Sequence, residues 1–317
     1  VSYGYGNWPP PPAYTRRRRG GGFKRLLWGL VLLAGVGISA SVVFNSIGGI
    51  LSTLARDIPI PGVSSSPPSE PGPALPANVA GVLQDNRLYD AGSPGSVDCP
   101  APRLTSSSAQ AQEDYDKRIF DCLNRGWQGV LATSGFSTSD PDLFVFNQSG
   151  SSPCGTFEPA TGQILAFYCP VNQTMYADAE QMAKAFPARD HVVYALVLAH
   201  EYGHHLQNVA GILDAEQGLA YRQPSQANEL SRRTEVQASC LAGVFIRAIE
   251  DSYPVSGNQR SAFEFYAFRA FGDSDGASDD ERTHGTSRSQ GEWIARGFND
   301  GETGDCNSYS ASASTVE

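Results

Sequence analysis

The segment from His191 to Ala210 constrains the fold more than any other. Val192, Leu196, Ala199 and Leu206 recur at helical spacing, and the stretch is apolar enough to be a buried helix. Inside it stands the run His200-Glu201-Tyr202-Gly203-His204. Four residues make slightly more than one helical turn, so the two imidazoles project from one face toward one point. Histidines without partners are costly to bury in an apolar helix, whereas two neutral imidazoles at this spacing suit a zinc ion. Glu201 lies about one hundred degrees round the helix from His200. There its carboxylate stands beside a water on such an ion, the place of a general base.

A zinc that activates water needs one more protein ligand and an open position. A metzincin would have Gly at 207 and His at 210, and this chain has Gln207 and Ala210, which excludes that class. The gluzincin alternative takes a Glu from the next long helix, predicted over Glu229 to Glu250. Glu235 and Glu229 are the candidates. Small residues after Glu235 (Ala238, Ser239, Ala242 and Gly243) would let this helix pack closely on the first.

Other elements follow from periodicity. A helix is expected over Ala111 to Ala132, strands over Leu143 to Phe146 and Ile164 to Tyr168, and a short helix over Asp178 to Phe186 stopped by Pro187. Further helices are expected over Asn258 to Phe271 and Ser287 to Phe298. Strands come first and helices dominate afterwards, which predicts one α+β domain over residues 86–306.

Upstream the chain changes character. Leu26 to Ala55 holds no ionisable side chain, and its most apolar part, Leu26 to Phe44, is 19 residues, enough helix for a hydrocarbon core of roughly 30 Å. A transmembrane helix is therefore expected within 26–50. A cleaved leader would have a shorter apolar run followed by a small-x-small site; Gly35-Val36-Gly37 and Ser39-Ala40-Ser41 are imperfect candidates. Arg16 to Arg19, Lys24 and Arg25 precede the span and place residues 1–25, a disordered basic tail, in the cytoplasm by the positive-inside bias. Residues 51–85 read as a Pro/Ser-rich linker and 307–317 as a flexible tail. The net charge of −10 conceals this split: six of the 23 basic residues lie in 1–25, which leaves 17 against 33 acidic residues in the rest. A body so acidic is not built to bind nucleic acid or an anionic lipid surface.

The six cysteines (Cys99, Cys122, Cys154, Cys169, Cys240 and Cys306) all follow the apolar span, and no Cys-x-x-Cys occurs. An even count confined to the exported part reads as disulfides. Cys154 and Cys169 flank a segment that looks like a hairpin turning at Ala160-Thr161-Gly162, which makes them the best local pair. Cys240 with Cys306 and Cys99 with Cys122 would follow.

Several blocks longer than the His-Glu-x-x-His motif resemble the bacterial neutral zinc metallopeptidases, a gluzincin-like family, over roughly residues 140–306. They are Ser152-Pro153-Cys154-Gly155, Phe167-Tyr168-Cys169-Pro170, Leu198 through Gln207, Glu235 through Gly243, and Thr283-His284-Gly285-Thr286 with Trp293 and Gly297. The resemblance implies zinc held by His200, His204 and Glu235, with Glu201 as base. It also marks a departure. Ser239 stands where the family usually has an Asp that orients a ligand imidazole, and an uncharged substitute predicts weaker metal binding or slower turnover.

His284 is the remaining candidate for chemistry, as a donor to the oxyanion formed during peptide-bond attack or as a structural histidine. His191 and His205 read as structural or solvent-facing, and Tyr202 is expected to point away from the metal. A hairpin from Phe144 to Tyr168 is expected to offer an edge strand to an extended peptide. The reading is thus a membrane-anchored, extracytoplasmic zinc metallopeptidase acting on peptides or proteins through a zinc-activated water. Its rivals are a zinc-binding, non-proteolytic envelope ectodomain and a zinc hydrolase of another bond type.

Overall fold

The computed structural model describes residues 76–317 except 101–103, 105, 160–164, 254, 256, 274–276 and 279–280. The expected basic tail, apolar span and most of the linker lie outside the described residues. No helix among the described residues is long and apolar enough to cross a membrane.

Helix α1 (Val79–Gln84) opens the described chain, with the Asn78 side chain accepting from the Gly81 amide at 2.9 Å. It falls inside the stretch expected to be linker. Leu83 and Leu88 are buried here, and the Asn86 amide group donates to the Ala210 carbonyl at 3.1 Å, so the folded body begins earlier than composition suggested. Helix α2 (Ala109–Thr133) is capped by Ser108 and buries Tyr115, Ile119, Cys122, Leu123, Trp127 and Val130 along one side.

The strands are β1 (Asp142–Phe146), β2 (Gly150–Ser152), β3 (Gly155–Phe157), β4 (Ala166–Cys169) and β5 (Thr174–Asp178). They do not form the long hairpin expected from Phe144 to Tyr168. β2 and β3 make a tight hairpin of their own, turning at Ser152 to Gly155. The other three form a sheet in the order β1-β5-β4, with β1 parallel and β4 antiparallel to β5. The expected turn at 160–162 lies outside the described residues. β5 was missed because every one of its residues is buried, and a strand covered on both faces has no polar alternation to betray it. Met175 and Ala177 face the helical core, while Tyr176 joins Phe146, Phe157 and Cys169 in a second apolar cluster.

Helix α3 (Ala179–Ala185) is capped by Asp178. Helix α4 (Val192–Val209) carries the His-Glu-x-x-His run and is buried from Val192 to Gln207. Gly211, at φ 74°, ends it and starts α5 (Ile212–Arg222), which periodicity did not reveal. Helix α6 (Ala227–Ile249) follows. Helix α7 (Asn258–Ala267) is shorter than expected, because Phe271 and Gly272 leave the helix, Gly272 at φ 91°. Helix α8 (Ser287–Asp300) is capped by Thr286, whose hydroxyl accepts from the Ser289 amide at 3.1 Å.

Three helices stack through glycine. A Cβ on Gly203 would lie 2.9 Å from the Ala238 backbone, so α4 and α6 touch at that point. A Cβ on Gly243 or Gly297 would collide with the facing backbone of α8 or α6. Gly243 therefore seats α8, not α4 as its sequence position suggested.

All three expected cysteine pairs form: Cys99–Cys122, Cys154–Cys169 and Cys240–Cys306. The last ties α6 to residues 303–306. Residues 307–317 are not a loose tail: Tyr309 and Val316 are buried, the Tyr309 hydroxyl lies 2.7 Å from Thr234 Oγ1, and the Thr286 amide donates to the Glu317 carbonyl at 2.7 Å. Their serine-rich composition hid two apolar anchors.

Candidate metal centre

Helix geometry alone would aim His200 and His204 at one point, and the close crossing at Gly203 and Ala238 brings α6 under them. Glu235 Oε2 lies 3.2 Å from His200 Nε2 and 3.6 Å from His204 Nε2. One ligand atom from each of the three residues lies within 4.8 Å of the others. Atoms bound at 2.0–2.1 Å to a tetrahedral zinc stand about 3.3–3.4 Å apart, so the two measured separations bracket the value the ion requires. Glu229, the competing candidate, instead accepts from Arg233 at 2.8 and 3.0 Å.

Each imidazole is held through its other nitrogen. His200 Nδ1 is 3.0 Å from Ser239 Oγ, and His204 Nδ1 is 2.8 Å from Gln207 Oε1. Acceptors at Nδ1 fix the tautomer that leaves Nε2 free for a metal. Both supports continue inward. The Ser239 hydroxyl donates to Gln290 Oε1, and the Gln290 amide donates to the His284 carbonyl. The Gln207 amide donates to the Thr234 carbonyl at 2.8 Å and to Gln237 Oε1 at 3.0 Å. Ser239 thus offers the His200 ring an acceptor without the charge of an Asp.

Electrostatics fit a cation. Burial alone would push the Glu235 carboxyl up, but the facing His284 and His204 rings hold it well below the usual carboxylate range. Burial disfavours a charged His204, yet Glu235 outweighs it and raises that ring to about 9. Even so, among the described residues His204 Nε2 and His284 Nε2 are buried without a hydrogen-bond partner. Orphaned nitrogens around a buried carboxylate are costly, and a divalent cation would satisfy this donor set in place of protons.

Glu201 sits beside the cluster. Burial raises its carboxyl above the ordinary value, against the lowering influence of His200 and His204. The backbone amide of Tyr168 also favours the charged form, and among the described residues Oε2 has no hydrogen-bond partner. That amide comes from the open edge of β4. The Asp178 amide donates to the Leu165 carbonyl at 2.9 Å, so in the antiparallel register 165, 167 and 169 face β5, while the backbone of Ala166 and Tyr168 faces outward.

His284 is 4% exposed and reaches the same point from the loop before α8; its Nε2 is 3.9 Å from Glu235 Oε1. Its Nδ1 is 3.1 Å from Asp273 Oδ1, and Asp273 Oδ2 accepts from the amides of His284 and Gly285 at 2.7 and 3.1 Å. Burial works against charge on this ring, but Glu235 and then Asp273 hold its pKa above the ordinary histidine value. Asp273 and Gln290 belong to no motif in the sequence and only the packing reveals them, while Gln207 lies in a motif block that did not show its bond to His204.

The remaining candidates are structural. His205 Nδ1 is 3.0 Å from the Tyr168 hydroxyl, and burial lowers that ring to about 4. His191 is buried against Tyr253 and Tyr115, and the Tyr202 ring packs on Phe120 and His205. None of the three contributes to the metal cluster.

A family model described as "Putative neutral zinc metallopeptidase" matches residues 84–309. The uncharacterized protein YpfJ of Escherichia coli (strain K12) is 30% identical over 198 residues, which cover 59% of this chain and 67% of that protein. The uncharacterized protein Rv2575 of Mycobacterium tuberculosis (strain ATCC 25618 / H37Rv) is 29% identical over 196 residues, 54% of this chain and 63% of that one. No solved structure shows significant similarity. The match spans the sheet, the paired histidines and the helix that supplies Glu235, and the chain belongs to the neutral zinc metallopeptidase family.

Proposed function

We propose that this chain is a membrane-anchored, extracytoplasmic zinc metallopeptidase. The observation that carries the reading is the convergence of His200 Nε2, His204 Nε2 and Glu235 Oε2 beside the free oxygen of Glu201. A zinc ion bound there supplies a Lewis acid that polarises a peptide carbonyl and acidifies water. Glu201, raised by burial, takes the proton of the attacking water and passes it to the departing amine. His284, held by Asp273 with Nε2 toward the cluster, donates to the oxygen that gains charge. Ser239 and Gln207 keep the two ligand rings in place. The outward backbone of Ala166 and Tyr168 offers an extended peptide a strand edge, which aligns its scissile bond with the centre.

The address rests on sequence and disulfides together. Leu26 to Phe44 is long enough to span a bilayer, and three disulfides close in the body that follows, which suits an oxidising exterior.

A zinc-binding ectodomain without catalysis is the second reading, favoured by the uncharged Ser239 behind His200. One comparison separates the two. Zinc-loaded wild type and Glu201→Gln are incubated with a mixed peptide library, and products are read by mass spectrometry. The peptidase reading expects cleavage by wild type and its loss in the variant with zinc retained. Equal product patterns in both would support the non-catalytic reading.

A further inference from the structure

A carboxylate without a partner lies next to the metal centre. Glu216, on α5, is only 5% exposed, and among the described residues no cation or hydrogen-bond donor contacts its carboxylate. It lines a cavity of about 30 Å³ together with Tyr168, His204, Glu235, Gln217 and Ser231. Arg233, the cation nearest in sequence to Glu235, is committed elsewhere, to Glu229 and to the carbonyls of Ser308 and Ala311.

A buried acid that lacks a partner is rarely retained for stability, because its desolvation is uncompensated. Here it shares a cavity with two metal ligands, and the cavity holds one or two water-sized groups. That is the size of an ammonium head, which brings three donors to the Glu216 oxygens and the neutral acceptors of Gln217 and Ser231. The position along β4 agrees. An extended peptide added antiparallel to that strand would have its amino-terminal side at the Cys169 end, where Tyr168 and Pro170 border the cavity.

We propose that Glu216 is a specificity determinant that receives a primary ammonium group of the peptide substrate, beside the metal ligands. The group is either the free amino terminus or a lysine side chain on the amino-terminal side of the scissile bond. This rests on the peptidase reading above.

Binding separates the two claims. Zinc-loaded full-length chain carrying Glu201→Gln is titrated by calorimetry with three versions of one peptide: free amino terminus without lysine, acetylated terminus with lysine, and acetylated without lysine. One of the two ammonium-bearing versions should bind about tenfold tighter than the version with none, and which one does so identifies the source. Adding Glu216→Gln, which keeps the shape and removes the charge, should reduce that preference to about twofold or less. Equal binding of all three versions, no binding of any, or a preference that survives Glu216→Gln would each overturn the proposal. So would two zinc ions per chain falling to one in Glu216→Gln, since Glu216 would then serve a second metal. An ammonium preference in a wild type that cleaves nothing would keep this proposal and sink the peptidase reading.

Discussion

Replacing Ser239 with alanine isolates the feature that sets this metal centre apart. Ser239 is fully buried, with Oγ 3.0 Å from His200 Nδ1 and its hydroxyl donated to Gln290 Oε1. In Ser239→Ala both partners lose their bond. The Gln290 loss is common to the metal-free and metal-loaded states and cancels in an affinity. The His200 loss does not cancel, because a ring committed through Nε2 must carry its proton at Nδ1 and can no longer place it elsewhere. An unsatisfied buried donor costs about 1–3 kcal/mol, which corresponds to roughly 5- to 150-fold weaker zinc binding. Zinc affinity is read by competition with a chromophoric chelator of known affinity, with thermal unfolding of the metal-free forms as a control for folding. An unchanged affinity in a folded variant would refute the claim that Ser239 orients the ligand. Ser239→Asp tests the converse. A carboxylate acceptor makes a hydrogen bond about twice as strong as a neutral one, so zinc should bind more tightly, at the expense of metal-free stability in a buried site.

Further outcomes follow from the same geometry. Glu235→Gln should lose bound zinc by elemental analysis, whereas Glu229→Gln, whose carboxylate pairs with Arg233 away from the cluster, should retain one ion per chain. Removing the Cys240–Cys306 bridge with serines opens a loop of 66 residues. The chain-entropy cost is about 4 kcal/mol, visible as a lower denaturation midpoint in urea. Asp116 is buried, accepts from Gln112 at 2.6 Å, and is raised by burial to about 8. Because its folded value lies above its unfolded one, the folded state holds the extra proton. Its contribution is intact below about pH 4 and is lost as pH climbs toward 8. Asp116→Asn should therefore flatten that part of the stability profile in urea titrations between pH 4 and 8.

The helices that carry the site were legible because their apolar spacing and their chemistry coincide. Val192, Leu196, Ala199 and Leu206 mark α4, and its motif fixes which face must meet a metal. Glu235 was narrowed to two candidates by helix position and preferred on family resemblance, and packing then removed Glu229 by pairing it with Arg233. Three kinds of information stayed hidden. β5 is buried on both faces, so its residues show no alternation. α5 begins directly after Gly211 and reads as a continuation of loop. Gln207 and Gln290 make their contacts at helix crossings, Asp273 bonds His284 from a neighbouring loop, and Glu216 is marked only by the cavity it lines; neutral amides in particular carry no signature in a sequence. The close α4–α6 crossing was foreseeable from small residues, but Gly203 makes it, and Gly243 serves the next crossing instead.

Zinc K-edge X-ray absorption on the loaded chain tests the central claim most directly. Two imidazole nitrogens and carboxylate oxygen from His200, His204 and Glu235 predict one zinc per chain with a nitrogen/oxygen shell at about 2.0–2.1 Å, outer-shell scattering from two imidazoles and no sulfur. In His204→Ala one imidazole should vanish from that pattern or the zinc should be lost. A sulfur shell near 2.3 Å, or a wild-type spectrum reproduced by His204→Ala, would contradict the account.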